Sequence, residues 1–330
     1  MGLRIPRGRR LRRRAASLAK YAGYRMGLTR LPYYPDRMYL ESTNACNLNC
    51  IMCPTGLGEA KRKRGYMEWG LFKDVVDEMA GHVPVTTLHI WGEPLLHPKL
   101  PDMIAYARQR GIRPEISTNA TLLTEDLSKE ILKAGLGAIY MCLDGASAET
   151  YEAIRRRGDF EQTRANIQRF IELRREIPER EPLVNVQIIE MQPTQAEVEE
   201  FSKQWRQAGV YRVSVKPFDS WGNQVDAIAS LRAAEANVPP KRWHCPNLWF
   251  HVHIYWDGTL VCCDRDFDAL YPLGNVGGGV MKAWNGPAMR ELRRKHLTKD
   301  LDDVPSCRNC VEWAWWQPTP FQSYGNRPQG

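Results

Sequence analysis

The stretch NACNLNCIMCP, residues 44–54, holds three of the chain's nine cysteines: Cys46, Cys50 and Cys53. It follows directly on residues 38–42, which read as a strand. Thiolates are soft ligands suited to zinc and to iron–sulfur centres. A structural zinc site closes with four ligands, and no further Cys or His follows until His82. Three thiolates on a four-iron cubane instead leave one iron open to an outside ligand. Two readings stand at this point: a zinc site completed by His82, or an iron–sulfur centre with one open position.

Working outward, strand-like runs at 38–42, 86–91, 113–118, 138–144, 183–190 and 212–216 alternate with helical patterns. Val198, Phe201, Trp205 and Ala208 share one helical face. So do Ile167, Phe170, Ile171 and Ile177, after which Pro178 stops the helix. Gly135 and Gly209 stand where helices should end. Repeated strand–helix alternation predicts an α/β fold with a parallel sheet and helices outside. Six units fall short of the eight in a closed barrel. A partial (β/α)6 TIM-like barrel is expected, reactive at the C-terminal ends of its strands.

The fragments on those strand ends, with the three cysteines, resemble the radical S-adenosylmethionine (radical SAM) superfamily over about residues 38–217. Trp91-Gly92-Glu93-Pro94 resembles the family's Gly-Gly-Glu-Pro run, which holds the SAM amino group; Trp91 stands for the first glycine. Ser117-Thr118-Asn119 resembles Thr-Asn-Gly, with Ala120 for the glycine. Cys142-Leu-Asp144-Gly145 resembles Ser-x-Asp-Gly, and Arg155 matches the arginine near the SAM carboxylate. Met52 replaces the usual aromatic before the third cysteine. The resemblance implies Cys46, Cys50 and Cys53 as ligands of a SAM-binding [4Fe–4S] cluster. Trp91, Gly92, Glu93, Asn119, Cys142, Asp144 and Arg155 are implied around SAM. It also implies a reduced cluster that cleaves SAM to a 5′-deoxyadenosyl radical, fed by flavodoxin or ferredoxin.

Past residue 244 the pattern changes. Residues 248–255, an Asp257–Gly258 turn and 259–263 read as a β-hairpin, and 280–296 as one helix. Cys245, Gly258-x4-Cys263 and Cys307-x-x-Cys310 resemble the SPASM domain in its shortened twitch form. This implies one auxiliary [4Fe–4S] cluster on Cys245, Cys263, Cys307 and Cys310, against a four-cysteine zinc knuckle. The divisions are expected at 1–37 (basic arm and helix), 38–218 (barrel), 219–244 (linker), 245–312 (auxiliary domain) and 313–330 (tail).

The cysteine arrangement resembles the aminocyclitol dehydrogenase and sugar epimerase group. Oxidation of a carbinol would use the auxiliary cluster as electron acceptor. Epimerisation would use a thiol hydrogen donor, for which the two spare cysteines, Cys142 and Cys262, are the candidates; the plainer reading of each is a small buried hydrophobe. Gln187, Glu190, Lys216, Asp219, His251, His253, Asp264 and Asp266 are candidate polar contacts for a carbohydrate-like substrate. Nine of the eleven tryptophans follow residue 200, and Trp313, Trp315 and Trp316 offer faces for sugar C–H surfaces or fill a thin core. Modification of a ribosomal peptide is the alternative. Against it stand the thirty-seven residues before the barrel, few for a leader-binding domain, and cysteines for one auxiliary cluster.

Composition bounds the rest. The 330 residues are 43% hydrophobic and 25% charged, as in ordinary globular proteins. No apolar run reaches the roughly eighteen residues of a membrane span, and no signal peptide is read. A cytoplasmic enzyme is expected, in which cysteines serve metals or chemistry before disulfides. The net charge is +8, but seven arginines fall in the first fourteen residues and the remainder is close to neutral. That near-neutral body and the strand-end fragments together argue against a non-enzymatic zinc-binding or nucleic-acid-binding protein, and no nucleic acid and no membrane are expected as partners.

Overall fold

The structure is a computed structural model that describes residues 7–235 and 238–320. The first residues of the basic arm, two residues of the 219–244 segment and 321–330 of the tail lie outside the described residues. Six strands pair in chain order and all in parallel: β1 (Arg37–Leu40), β2 (Val85–Thr87), β3 (Arg113–Thr118), β4 (Ala138–Cys142), β5 (Leu183–Glu190) and β6 (Arg212–Pro217). The principal helices are α1 (Arg7–Arg25), α2 (Trp69–Met79), α3 (Leu100–Gln109), α4 (Glu125–Lys133), α5 (Phe160–Arg175) and α6 (Val198–Gln207). This is the α/β partial barrel that the alternation predicts.

Strand side chains alternate between two faces, and here the two faces differ in chemistry. Met38, Leu40, Ile116, Ile139, Met141, Val186 and Ile188 point outward and are buried under the helices. There they meet Phe72, Val76, Met79, Ile104, Ile131, Ile167, Phe170 and Phe201. The intervening positions, Tyr39, Ser117, Cys142, Gln187 and Lys216, face the barrel interior. The outer layer therefore holds the fold, and the interior face carries polar strand side chains among apolar ones such as Ile189 and Phe218.

The C-terminal hairpin joins the same sheet. Its strands are β7 (His251–Ile254) and β8 (Leu260–Val261). β7 pairs in parallel with β1, with Arg37 opposite His251 and Leu40 opposite Ile254, giving the order β8-β7-β1-β2-β3-β4-β5-β6. The first hairpin strand is shorter than expected, because Asn247–Phe250 forms a helical turn. The expected helix over 280–296 is two helices, Val280–Trp284 and α7 (Pro287–Thr298). Pro287 has no N–H to continue the first, and its fixed φ suits it to start the second. The N-terminal helix is fastened to the C-terminal part: Tyr24 donates to the His244 carbonyl at 2.8 Å and meets Trp249 edge-on. Among the described residues, no helix is long and apolar enough to cross a membrane.

Candidate active site

A cavity of about 750 Å³ opens at the C-terminal ends of the barrel strands. Cys46, Cys50 and Cys53 border it together, on a loop folded tightly on itself. Gly56 permits that fold, since a Cβ there would lie 2.4 Å from the Cys50 carbonyl oxygen. Burial pushes the Cys46 thiol up to about 11 and the Cys50 thiol up to about 12. Thiolates in such a place need a cationic partner, so the donor set fits a metal cluster. Among the described residues no three Cys, His, Asp or Glu side chains converge on a single-ion site. His82 is exposed and stacks on Tyr34 at 3.7 Å, away from the three thiols. The zinc reading that used it is thereby corrected.

The remaining strand ends meet this loop. Gly92 has φ +76°, and a Cβ there would lie 2.5 Å from the Thr43 oxygen and 2.6 Å from the Ala45 oxygen. Only glycine brings this backbone so close to the cysteine loop. The Glu93 carboxylate is oriented by the Thr118 hydroxyl at 2.7 Å and by the backbone N–H groups of Asn119 at 2.7 Å and Leu95 at 3.0 Å. Burial raises its pKa. Asn119 donates to Asn47 at 3.0 Å, tying β3 to the cysteine loop. Ala120 adopts φ 61°, the left-handed conformation expected of the glycine it replaces. Arg155 pairs with buried Asp144 at 2.7 Å and stands 3.9 Å from the Cys50 sulfur. Trp91 borders the cavity, donating to the Asp264 carbonyl at 3.1 Å and packing on Trp221 at 4.7 Å. The tryptophan in the glycine position thus joins β2 to the C-terminal part.

The facing wall comes from β4 to β7. The Cys142 sulfur lies 3.2 Å from the Ser117 hydroxyl and 3.3 Å from the Gln187 amide nitrogen, which donates to it. Gln187, Lys216, Asp219, His251, His253 and Asp264 all border the cavity. Burial pushes Lys216 down to about 8. Gln187 Oε1 and His253 Nδ1 are buried and have no hydrogen-bond partner among the described residues. Trp315 and Trp316 also line the cavity, whereas Trp313 packs edge-on to Trp243 at 4.7 Å. Two expected contacts do not reach it. Glu190 is exposed at the end of β5, and Asp266 turns away to accept the Leu270 and Tyr271 backbone N–H groups.

Cys245, Cys263, Cys307 and Cys310 border a second cavity of about 20 Å³. Four thiols around one small cavity are a soft donor set that suits a metal cluster, and burial pushes Cys245 up to about 11. Cys262 borders neither cavity: it is 1% exposed and packs behind the four thiols, its sulfur 3.9 Å from that of Cys263 and 3.4 Å from the Ser306 hydroxyl. Asn247, Arg265, Glu312 and Trp316 border both cavities and so partition them. Arg265 binds Asp219, Asp264 and Glu312 together. Glu312 also accepts from Ser220 and from the Cys310 thiol at 3.1 Å. Neither Arg265, Glu312 nor Trp221, which donates to the Met52 carbonyl at 2.8 Å, carries a local sequence pattern. An isolated arginine beside Asp264 was the sole signal.

Comparison with known proteins agrees with this layout. Residues 40–178 match the Radical SAM superfamily model, and residues 245–311 match SPASM, an iron–sulfur cluster-binding domain. A tungsten-containing aldehyde ferredoxin oxidoreductase cofactor-modifying protein of Pyrococcus furiosus is 28% identical over 52% of this chain and 49% of its own length. A dTDP-4-amino-4,6-dideoxy-D-glucose ammonia-lyase of Streptomyces venezuelae is 32% identical over 48% of this chain and 33% of its own. These matches therefore span about half or less of each relative. The fold is similar to BtrN in complex with AdoMet and 2-DOIA (TM-score 0.55, 16% identity, 85% of this chain and 94% of that one). It is also similar to Streptococcus suis SuiB bound to precursor peptide SuiA (TM-score 0.63, 12% identity, 88% and 72%). The first domain implies SAM with a [4Fe–4S] cluster, and the second implies auxiliary iron–sulfur. The chain thus carries a Radical SAM domain, on the barrel and its three-cysteine loop, followed by a SPASM domain that continues the barrel's own sheet.

Proposed function

We propose that this chain is a radical SAM enzyme that removes a hydrogen atom from a carbinol carbon of a sugar, aminocyclitol or oligosaccharide, giving the epimer or the ketone. The observation that carries the reading is one cavity bordered by the three-cysteine loop, by a thiol held between Ser117 and Gln187, and by a polar wall. Cys46, Cys50 and Cys53 would hold the SAM-binding cluster, and Cys245, Cys263, Cys307 and Cys310 an auxiliary one. When bound, these groups with SAM supply hydrogen-atom abstraction and electron transfer.

The chain's own residues do the rest. Glu93, held by three donors, offers its carboxylate to the SAM ammonium, while Arg155 offers a cation to its carboxylate. Gln187, Lys216, Asp219, His253 and Asp264 supply hydrogen bonds for hydroxyl or amino groups. Trp221, Trp315 and Trp316 supply faces for the C–H side of a ring. Cys142 is the spare thiol that borders the cavity, so it is the hydrogen donor of the epimerising branch. Buried Cys262 is demoted to packing. The volume, with SAM inside it, suits a small substrate. The names of the ammonia-lyase relative and of the BtrN complex support a sugar or cyclitol. The likeness to peptide-bound SuiB supports the second reading, a ribosomal peptide.

The test is an anaerobic turnover in heavy water with SAM, a flavodoxin or ferredoxin reductant, and a panel of aminocyclitols, oligosaccharides and short peptides. A product carrying one deuterium at carbon means epimerisation through an exchangeable thiol. A product lighter by two hydrogens means oxidation. Turnover of peptides alone replaces the carbohydrate reading by the second one. Absence of 5′-deoxyadenosine under every condition sinks both.

A further inference from the structure

His296 stands on α7 at the edge of the small cavity bordered by Cys245, Cys263, Cys307 and Cys310. It is 4% exposed. Its Nδ1 accepts the backbone N–H of Cys245 at 3.4 Å. A ring nitrogen that accepts carries no proton, so this ring is a neutral imidazole with its hydrogen on Nε2. That Nε2 is fully buried and has no hydrogen-bond partner among the described residues. A buried donor without an acceptor is costly, so it is a contact point for a further group bound beside it. Gln187 Oε1 and His253 Nδ1, also without a hydrogen bond, belong to side chains that border the large cavity, and Arg265 Nε, which borders both, stands 3.6 Å from the Glu312 carboxylate. His296 borders the four-thiol cavity alone.

We infer that His296 is a positioning residue for the auxiliary centre, its Nε2–H donating a hydrogen bond to a sulfur of the iron–sulfur group held by Cys245, Cys263, Cys307 and Cys310. The inference rests on the reading that these four thiols hold such a group. One ring thereby serves two contacts: Nδ1 fixes the backbone of the ligand Cys245, and Nε2 meets the added negative charge of the reduced state. Hydrogen bonds to cluster sulfurs favour reduction. The same border carries Arg242, which donates to the Cys307 carbonyl at 3.0 Å, and Arg265, which neutralises Glu312 beside Cys310. His296 is distinguished from both as an uncharged donor, so replacing it changes the hydrogen bond without changing the local charge.

The test is an anaerobic redox titration followed by electron paramagnetic resonance on reconstituted wild type, H296F and H296Q. The signal that survives in a C50A background identifies the auxiliary centre. In H296F the auxiliary midpoint is expected to move negative, cutting the reduced-to-oxidised ratio at the wild-type midpoint by roughly threefold or more. The other centre stays where it was. H296Q, whose amide nitrogen stands near the place of Nε2, is expected to recover most of the shift. An unmoved midpoint in H296F with both centres loaded overturns the inference. Loss of the auxiliary centre in both variants also overturns it, in favour of a purely structural role. Wild type holding about four irons per chain rather than about eight removes the underlying reading itself, and is told apart by iron analysis before any titration.

Discussion

Gln187 and Cys142 are register partners on adjacent parallel strands, and the Gln187 amide nitrogen donates to the Cys142 sulfur at 3.3 Å. Strand pairing thus holds a thiol at the cavity wall, with the Ser117 hydroxyl 3.2 Å from its sulfur. If Cys142 delivers hydrogen to the substrate carbon, C142A forms 5′-deoxyadenosine at a rate within about threefold of wild type. Its product in heavy water carries no deuterium at carbon. Deuterium retained in C142A, read by mass spectrometry, rejects Cys142 as the donor.

The first cluster site makes a prediction at two positions. C50A removes a ligand, and G92A drives a methyl group into the Thr43 and Ala45 carbonyls at 2.5 and 2.6 Å. Both are expected to abolish 5′-deoxyadenosine formation and to halve bound iron from about eight to about four per chain. Retained SAM cleavage by C50A would sink the assignment of the three-cysteine loop.

Arg265 joins three carboxylates between the two cavities. R265M leaves the carboxylates of Asp219 and Glu312 buried without their cation. Breaking a buried ion network from one side costs about 3–5 kcal/mol. Denaturant unfolding measures this, and the D219N/R265M double variant is expected to recover part of the loss. A change below about 1 kcal/mol would reduce the network to an exposed-pair role.

Burial pushes His89 down to about 3 and His253 down to about 4, from an ordinary value of 6.5. Both folded values lie below the unfolded one. The unfolded chain therefore takes up protons first as pH falls, and stability present above about pH 6.5 declines toward pH 4 and 3. H89N retains an acceptor for the Ser117 N–H, which His89 Nδ1 meets at 2.8 Å, but does not titrate. Between pH 6.5 and 4.5 its unfolding free energy is expected to fall less steeply than that of wild type, by up to about 1.4 kcal/mol per pH unit. Equal slopes in the two proteins would contradict this.

Much of the fold was legible because its signals are local. The strands at 113–118 and 183–190 fall where the runs predict them, since alternation and flanking turn residues lie within a few positions of each other. The hairpin follows its Asp257–Gly258 turn. The break at Pro287 is equally local, since a proline cannot continue one helix but suits the first turn of the next. The end of β5 illustrates a harder limit. Glu190 and Gln187 stand three apart on one strand, so alternation puts them on opposite faces, but only the closing of the sheet decided which face is the cavity.

Cys46, Cys50, Cys53 and the strand-end fragments determined the chemistry on offer by themselves, because ligand type and loop spacing are properties of contiguous residues. Tertiary structure alone decided that β7 lies in parallel against β1, across more than two hundred residues of chain. It also placed Cys142 at the cavity and Cys262 away from it, and set Arg265 as the hub between two cavities. Those outcomes depend on backbone hydrogen bonds and ion pairs between distant segments. Their free energy appears only once the chain is folded, so no window of sequence can carry them.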